Sequence, residues 1–193
     1  MEYLVEHEFG FALDGIGFPS ISGCHAIVYL TSNGLFGFHN AGGSGKSDWA
    51  TRAQSFATFV NQHFLGKASG LHLYGCSFVG DNRRGYPTAG TSAAAGWKDE
   101  LTAFAGALGF GGSISGYDLA LTGITEPNSA YVEYRPNGLT CDISVKQYTK
   151  VGTASGNIQK ANNHKIRVGR PLQRVITSLD TSGMTQVTPQ QLR

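Results

Sequence analysis

Residues 21–39 of the chain read ISGCHAIVYLTSNGLFGFH, and this stretch carries most of the fold prediction. β-branched and aromatic residues stand on both sides of Asn33-Gly34, the pair that favours a type I′ turn between antiparallel strands. The stretch therefore predicts a β-hairpin that starts at Cys24 and ends at His39. Counted from the turn, both end residues fall on one face near the open end, with a shift of register or a bulge to bring them level.

Further segments complete the predicted core. Each shows either apolar residues at helical spacing or a run of β-formers bounded by turn residues. The expected elements are helices over 47–65, with Ser47 as N-cap, and over 97–108, strands over 71–78 and 113–121, and a second hairpin around Asn137-Gly138. This order predicts an α/β (α+β) fold: a mixed, mostly antiparallel β-sheet or sandwich core flanked by helices.

The length of 193 residues fits one domain. Residues 1–150 are predicted to form the domain that carries Cys24 and His39, and the more polar residues 151–193 a C-terminal extension packed on the same domain. Inside the extension, a short apolar patch over 172–179 predicts one docking helix. A loop rich in Gly, Ala, Ser and Thr over 80–96 predicts a mobile lid that selects the substrate.

The charge pattern and the cysteine spacing argue against several classes of function. A net charge of +2 with scattered signs gives no basic stripe for nucleic acid. No apolar run reaches membrane-spanning length, and acidic residues stand near the N-terminus where a signal peptide would carry Lys or Arg. Cys24, Cys76 and Cys141 fit neither a disulfide framework nor a C-x-x-C metal site, so we expect free thiols, a reducing compartment and no metal or other cofactor.

The residues at the open end of the predicted hairpin can support nucleophilic catalysis. A catalytic cysteine needs an imidazole to take its proton and backbone N–H groups to hold the oxyanion that forms on attack. His39 is the expected partner of Cys24, and Ser22-Gly23 lets the backbone bend tightly and point amides at a substrate carbonyl. His25 directly follows the cysteine and must point to the opposite face, which predicts a structural role.

The same residues resemble a known family. The stretch ISGCHAIVYLTSNGLFGFH is similar to the Ser-Gly-Cys hairpin of the cytotoxic necrotizing factor catalytic domain, which also places its histidine fifteen residues after its cysteine. The order of elements over roughly 18–148 is similar to that of the chemoreceptor glutamine deamidase CheD. The resemblance implies a glutamine deamidase fold with a Cys/His dyad, carried over onto Cys24 and His39 alone.

The third catalytic group departs from one pattern of these enzymes. They often place a threonine six residues before the cysteine, where this chain has Phe18, while others use a backbone carbonyl to orient the histidine. Ser20 or a main-chain carbonyl is therefore the candidate third member.

The function implied by the resemblance is protein-glutamine deamidation, in which a reactive glutamine of a protein substrate becomes glutamate through a thioester on Cys24. Transglutamination, in which an amine replaces water at the thioester, uses the same residues and stays open. The likeness to toxins implies a secreted effector that leaves without a cleaved signal peptide and modifies a host signalling protein in a target-cell cytosol. The likeness to CheD implies a cytoplasmic protein.

Other interpretations compete with this one. A caspase-type cysteine peptidase would pair His39 with Cys76 of LHLYGCS and would have a parallel core sheet. NAGGSGKS (40–47) nearly matches a phosphate-binding loop, but its first glycine is missing, and a flexible active-site loop is the simpler interpretation. A noncatalytic binding module with inert cysteines is a further alternative.

Overall fold

The computed structural model describes residues 1–41, 45–64, 69–148 and 182–193, together with the backbone of three two-residue strands between 149 and 181. Its two helices and mixed, mostly antiparallel strands confirm the predicted fold class.

The helices lie close to their predicted positions: α1 spans Lys46–Phe64 and α2 spans Ala93–Ala107. A short 3-10 helix follows the seventh strand at Leu119–Thr122. The strands β1 to β14 are, in chain order, Glu2–Tyr3, Glu8–Ala12, Ile16–Ile21, His25–Thr31, Gly34–Asn40, Gly70–Ser77, Ile114–Asp118, Ala130–Asn137, Thr140–Gln147, Thr153–Ala154, Ile166–Arg167, Val175–Ile176, Thr185–Val187 and Gln190–Gln191.

The described strands form two larger sheets and a ribbon of β10 with β12. The large sheet has the order β11-β2-β5-β4-β6-β7-β14, and the small sheet has the order β1-β3-β8-β9-β13. One face of the large sheet packs against both helices through residues such as Phe38, Phe56 and Phe104. Its other face packs against the small sheet, where Phe18 and Val132 are fully buried. The fold therefore has three layers, with the first hairpin in the central one.

The first hairpin forms as predicted, but its turn differs. Thr31 pairs with Gly34, so Ser32 and Asn33 make the turn, and neither has the positive φ that a type I′ turn requires at both positions. Gly34 instead enters β5 with φ +132°, where a Cβ would lie 2.7 Å from the Ala12 carbonyl oxygen. Both this backbone conformation and the close approach of β2 therefore require glycine here.

The starts of both helices also differ from the prediction. α1 begins at Lys46, and the carbonyl of Gly45 accepts the first helical N–H groups, so Ser47 lies inside the first turn. α2 begins at Ala93, because the Ser92 hydroxyl accepts the Ala95 N–H at 3.2 Å and caps a run of good helix formers. The end of the predicted 80–96 lid is therefore helix.

Two buried side chains anchor the rest of the predicted lid. Arg84 and Tyr86 lie in the protein interior, while residues 87–92 are exposed. The mobile segment expected over 80–96 is thus tied to the core at its centre, because these two side chains have buried polar partners.

The described part of the C-terminal extension packs on both sheets. β13 pairs with β9 of the small sheet, and β14 pairs with β7 of the large sheet. Val175 and Ile176 form β12, so the docking helix predicted over 172–179 is wrong at these positions, while Leu172 and Leu179 lie outside the described residues.

Neither α1 nor α2, the helices of the described chain, has the length and apolar character needed to cross a membrane.

Candidate active site at the open end of the first hairpin

Cys24 and His39 lie on the same face of the large sheet, towards the small sheet. His39 pairs with Ala26 across the hairpin without a bulge, and Cys24 precedes β4 on the same side as Ala26. Cys24 is therefore the diagonal neighbour of His39, a relation in which Cβ atoms lie somewhat less than about 7–8 Å apart. Strand alternation alone places the two side chains on one face, at diagonal rather than level positions, and the pairing of β4 with β5 contains no shift of register.

The imidazole of His39 is fully buried and is oriented by the main chain. Its Nδ1 lies 2.7 Å from the carbonyl oxygen of Leu4. A carbonyl only accepts, so Nδ1 carries the proton and Nε2 keeps its lone pair. Nε2 has no hydrogen-bond partner among the described residues. Of the two candidate third members, the structure thus places a main-chain carbonyl, that of Leu4, against the histidine.

Burial keeps both groups neutral at rest. It lowers the pKa of His39 to about 4, with further lowering by His7 and Arg84 that the Leu4 carbonyl opposes. It raises the pKa of the Cys24 thiol to about 12, and Glu6 adds to this rise. At neutral pH the site therefore holds a thiol and a neutral imidazole rather than a preformed ion pair.

The backbone before Cys24 is distorted at Ser20 rather than at Gly23. Ser20 has φ +63° where the pairing of β3 with β8 shifts register, a conformation that is uncommon for a residue with a side chain. Gly23 is needed for space, since a Cβ there would lie 3.2 Å from the Arg83 carbonyl oxygen. A backbone hydrogen bond from Ser22 acts on the Cys24 thiol and favours its charged form.

Behind the hairpin lies a buried polar cluster that the sequence did not predict, which consists of Glu100, Arg84, His25, Asn40 and Tyr86. The carboxylate of Glu100 accepts hydrogen bonds from His25 Nδ1 at 3.0 Å, Asn40 Nδ2 at 2.8 Å and the Tyr86 hydroxyl at 2.8 Å. Arg84 donates to the same carboxylate through Nε at 2.9 Å and Nη2 at 2.5 Å. The cluster therefore joins α2 and the 80–92 segment to His25 and Asn40, at the open end of the first hairpin.

His25 belongs to this cluster and lies on the opposite face of the sheet from Cys24 and His39. The indole N–H of Trp97 donates to His25 Nε2 at 3.2 Å, so the imidazole donates through Nδ1 to Glu100. Burial lowers the pKa of His25, against the pull of Glu100. This neutral histidine points away from Cys24, as strand alternation predicts.

Cys76 lies on the same face of the large sheet as Cys24 and His39, but away from His39. Ala26 of β4 pairs with His39 on one side and with Cys76 on the other, so the two residues are two strands, or about 10 Å, apart. The Tyr134 hydroxyl donates to the Cys76 thiol at 3.0 Å, and the thiol is fully buried. β4 is antiparallel to both neighbours, which is not the parallel core that a caspase-type site requires.

The buried neutral His39 should make the fold sensitive to acid. An unfolded histidine takes up a proton at its ordinary pKa of 6.5, whereas folded His39 does so only near 4. Its contribution to stability is thus complete above 6.5 and is lost as the pH falls to 4, about 3 kcal/mol in total. We expect His39→Gln, whose amide can still donate to Leu4, to flatten this loss, as measured by urea unfolding from about pH 7 to about pH 4.

A residual acid sensitivity should remain in that variant, because burial also lowers the pKa of His25 and because Glu100 loses its stabilising charge at lower pH. Burial alone would raise the pKa of Glu100, but His25 and Arg84 outweigh it and hold the pKa at about 2. Stability from Glu100 is therefore lost only as the pH falls below its ordinary 4.5. Equal slopes for wild type and variant between about pH 6.5 and 4.5 would contradict a buried neutral His39.

The remaining sequence features are the phosphate-loop candidate and the question of a metal site. The phosphate-loop candidate at 40–47 includes residues 42–44, which lie outside the described residues. In the part of the chain that is described, no three His, Cys, Asp or Glu side chains gather so that they could hold a metal ion.

A scan of protein-family models and a search of curated proteins both found no match for this chain.

Proposed function

We propose that the protein is a cysteine-dependent glutamine deamidase that converts a glutamine of a partner protein into glutamate. The observation that carries the proposal is the buried imidazole of His39. It donates through Nδ1 to the Leu4 carbonyl, lies on the face that holds Cys24, and leaves Nε2 without a hydrogen-bond partner among the described residues. General-base activation of a thiol needs a histidine in this tautomer, and the diagonal position of Cys24 on the same face supports the proposal.

The mechanism follows from the neutral resting state. The thiol proton passes to His39 Nε2 as Cys24 Sγ attacks the carboxamide carbon and the carbonyl oxygen becomes an oxyanion. Collapse breaks the C–N bond, and the imidazolium gives its proton to the leaving ammonia. Water, deprotonated by His39, then attacks the thioester, releases glutamate and returns the thiol. The Leu4 carbonyl stabilises the imidazolium that forms in both halves.

The proposed partner is a protein with an accessible glutamine. The resemblance to toxins favours a host signalling protein and a secreted effector, and the new negative charge would disable a catalytic or switch glutamine. An amine in place of water would give a transglutaminase from the same site.

The test is mass spectrometry of bacterial and host-cell lysates incubated with the protein. If the protein is a deamidase, we expect specific glutamines to become glutamates, which raises the peptide mass by the difference between an amide and a carboxylic acid. No new chain ends should form. A peptidase would instead create new chain ends, and a binding module would cause neither change. Added primary amines that become attached to the same glutamines would identify transglutamination.

Alkylation provides a second test that needs no knowledge of the substrate. Cys24 and Cys141 are similarly buried, with 6% and 7% of their surface exposed, and burial raises the pKa of both thiols to about 12. Cys24 differs in having His39 on its face, so we expect iodoacetamide to modify Cys24 at least about tenfold faster than Cys141. His39→Gln should remove this preference, as peptide mapping would measure. Equal rates in the wild type would contradict activation of Cys24.

A further inference from the structure

We infer that Arg84 is a positioning residue of this site: its guanidinium holds the strand end that carries Cys24 against the strand end that carries His39. This inference rests on the proposed function and adds a residue to it.

The argument starts from the carbonyls that Arg84 binds. Its Nη1 donates to the carbonyl of Gly23 at 3.1 Å and to the carbonyl of Asn40 at 3.2 Å. These are the residues directly before Cys24 and directly after His39. Asn40 belongs to the last pair of the hairpin, with His25, and Gly23 lies two residues before His25, outside the pairing. The guanidinium therefore joins the two chain segments at the point where backbone pairing ends.

The opposite side of the guanidinium is fixed by Glu100. Nε and Nη2 form a two-point contact with this carboxylate, and neither side chain is exposed to solvent. A planar fork that is held on one side can present Nη1 in one direction only. Glu100 is itself held by α2 and by its other partners, so the position of Nη1 is set by the core.

Lysine cannot replace this function although it keeps the charge. An ammonium group is a point charge without the planar fork, so it can satisfy Glu100 but cannot also bridge two carbonyls in a fixed direction. A shift of about 1 Å in a catalytic group can cost about a hundredfold in rate. Arg84→Lys should therefore lower the reactivity of Cys24, while the positive charge that balances Glu100 is kept.

Arg83 provides the matched control. It is also largely buried, and its guanidinium also donates to main-chain carbonyls, those of Ile124 and of Asn128, the latter at 2.8 Å. Its side chain lies over the Phe78 ring and forms an ion pair with Asp81. Arg83→Lys therefore makes the same chemical change one residue away, on an arginine that does not bind Gly23 or Asn40.

The experiment compares iodoacetamide rates at Cys24 and Cys141 in the full-length wild type, Arg84→Lys and Arg83→Lys. The ratio of the two rates is the readout, because global loosening speeds both thiols whereas misplacement of Cys24 slows that thiol only. We expect the ratio to fall about tenfold or more in Arg84→Lys and to stay unchanged in Arg83→Lys.

The outcomes separate this inference from the proposed function. A wild-type ratio near one would overturn the proposed function, whatever the variants do. A high wild-type ratio that Arg84→Lys preserves would overturn the positioning role. If Arg84→Lys fails to fold, Arg84→Met with Glu100→Gln removes both buried charges together and avoids an unpaired ion. That double variant should fold and lose the preference for Cys24, and a retained preference would reject the inference.

Discussion

Replacing Cys24 with serine is expected to lower the rate of glutamine deamidation by at least about a thousandfold, since loss of a nucleophile removes the covalent pathway. A serine hydroxyl at the same position holds its proton more tightly than a thiol and is the weaker nucleophile, so the same histidine activates it less. The measurement is the rate at which glutamate appears at the target glutamine, followed by mass spectrometry.

Cys76→Ser is the matched control for this variant. Cys76 is fully buried beside Tyr134, and a serine hydroxyl can accept the same hydrogen bond. Deamidation at the wild-type rate in Cys76→Ser, together with its loss in Cys24→Ser, would establish the nucleophile. Loss of the activity in Cys76→Ser alone would mean that the site has been assigned to the wrong cysteine.

Replacing Glu100 with alanine is expected to lower the free energy of unfolding by about 3–5 kcal/mol. The carboxylate compensates the buried charge of Arg84 and accepts hydrogen bonds from His25, Asn40 and Tyr86. Removal leaves an unpaired guanidinium in the core, which costs far more than a lost surface pair. Urea unfolding at neutral pH measures the change.

The neighbouring residue of α2 offers the control for this prediction. Asp99 is largely exposed and pairs with Lys46 at 3.5 Å. Asp99→Ala should change the free energy of unfolding by no more than about 1 kcal/mol, because exposed ion pairs contribute little. A similar cost for Glu100→Ala and Asp99→Ala would show that the buried polar cluster does not stabilise the fold.

The hairpin, and the face that Cys24 and His39 share, were predictable because strand alternation is a local property. Residues 24 and 26 share a face in any strand, and the same holds for 39 and its alternate neighbours. The turn was not predictable from Asn33-Gly34, since the preference of that pair assumes an isolated hairpin. Here the carbonyl of Ala12 approaches Gly34, and this contact comes from another strand.

The support of the site was harder to predict, for two different reasons. The Leu4 carbonyl is a main-chain group, so no residue type in the sequence marks it. It contacts His39 from the loop between β1 and β2. Glu100 did leave a signal, because it falls on the apolar stripe of α2 with Trp97, Leu101 and Phe104. A carboxylate at such a position predicts a buried partner, but its identity, Arg84, depends on how the 80–92 segment folds back.

The short strands at the margins of both sheets have a consequence for self-association. The large sheet ends in β11 and β14 and the small sheet in β1 and β13, each two or three residues long. Long, flat, apolar edges are the templates on which chains join into aggregates, and very short edge strands remove them. β4, HAIVYLT, has the composition that aggregating segments share, but it lies enclosed at the centre of the large sheet. Because β13 and β14 both come from the C-terminal extension, that extension covers the edges of β9 and β7, which are longer strands.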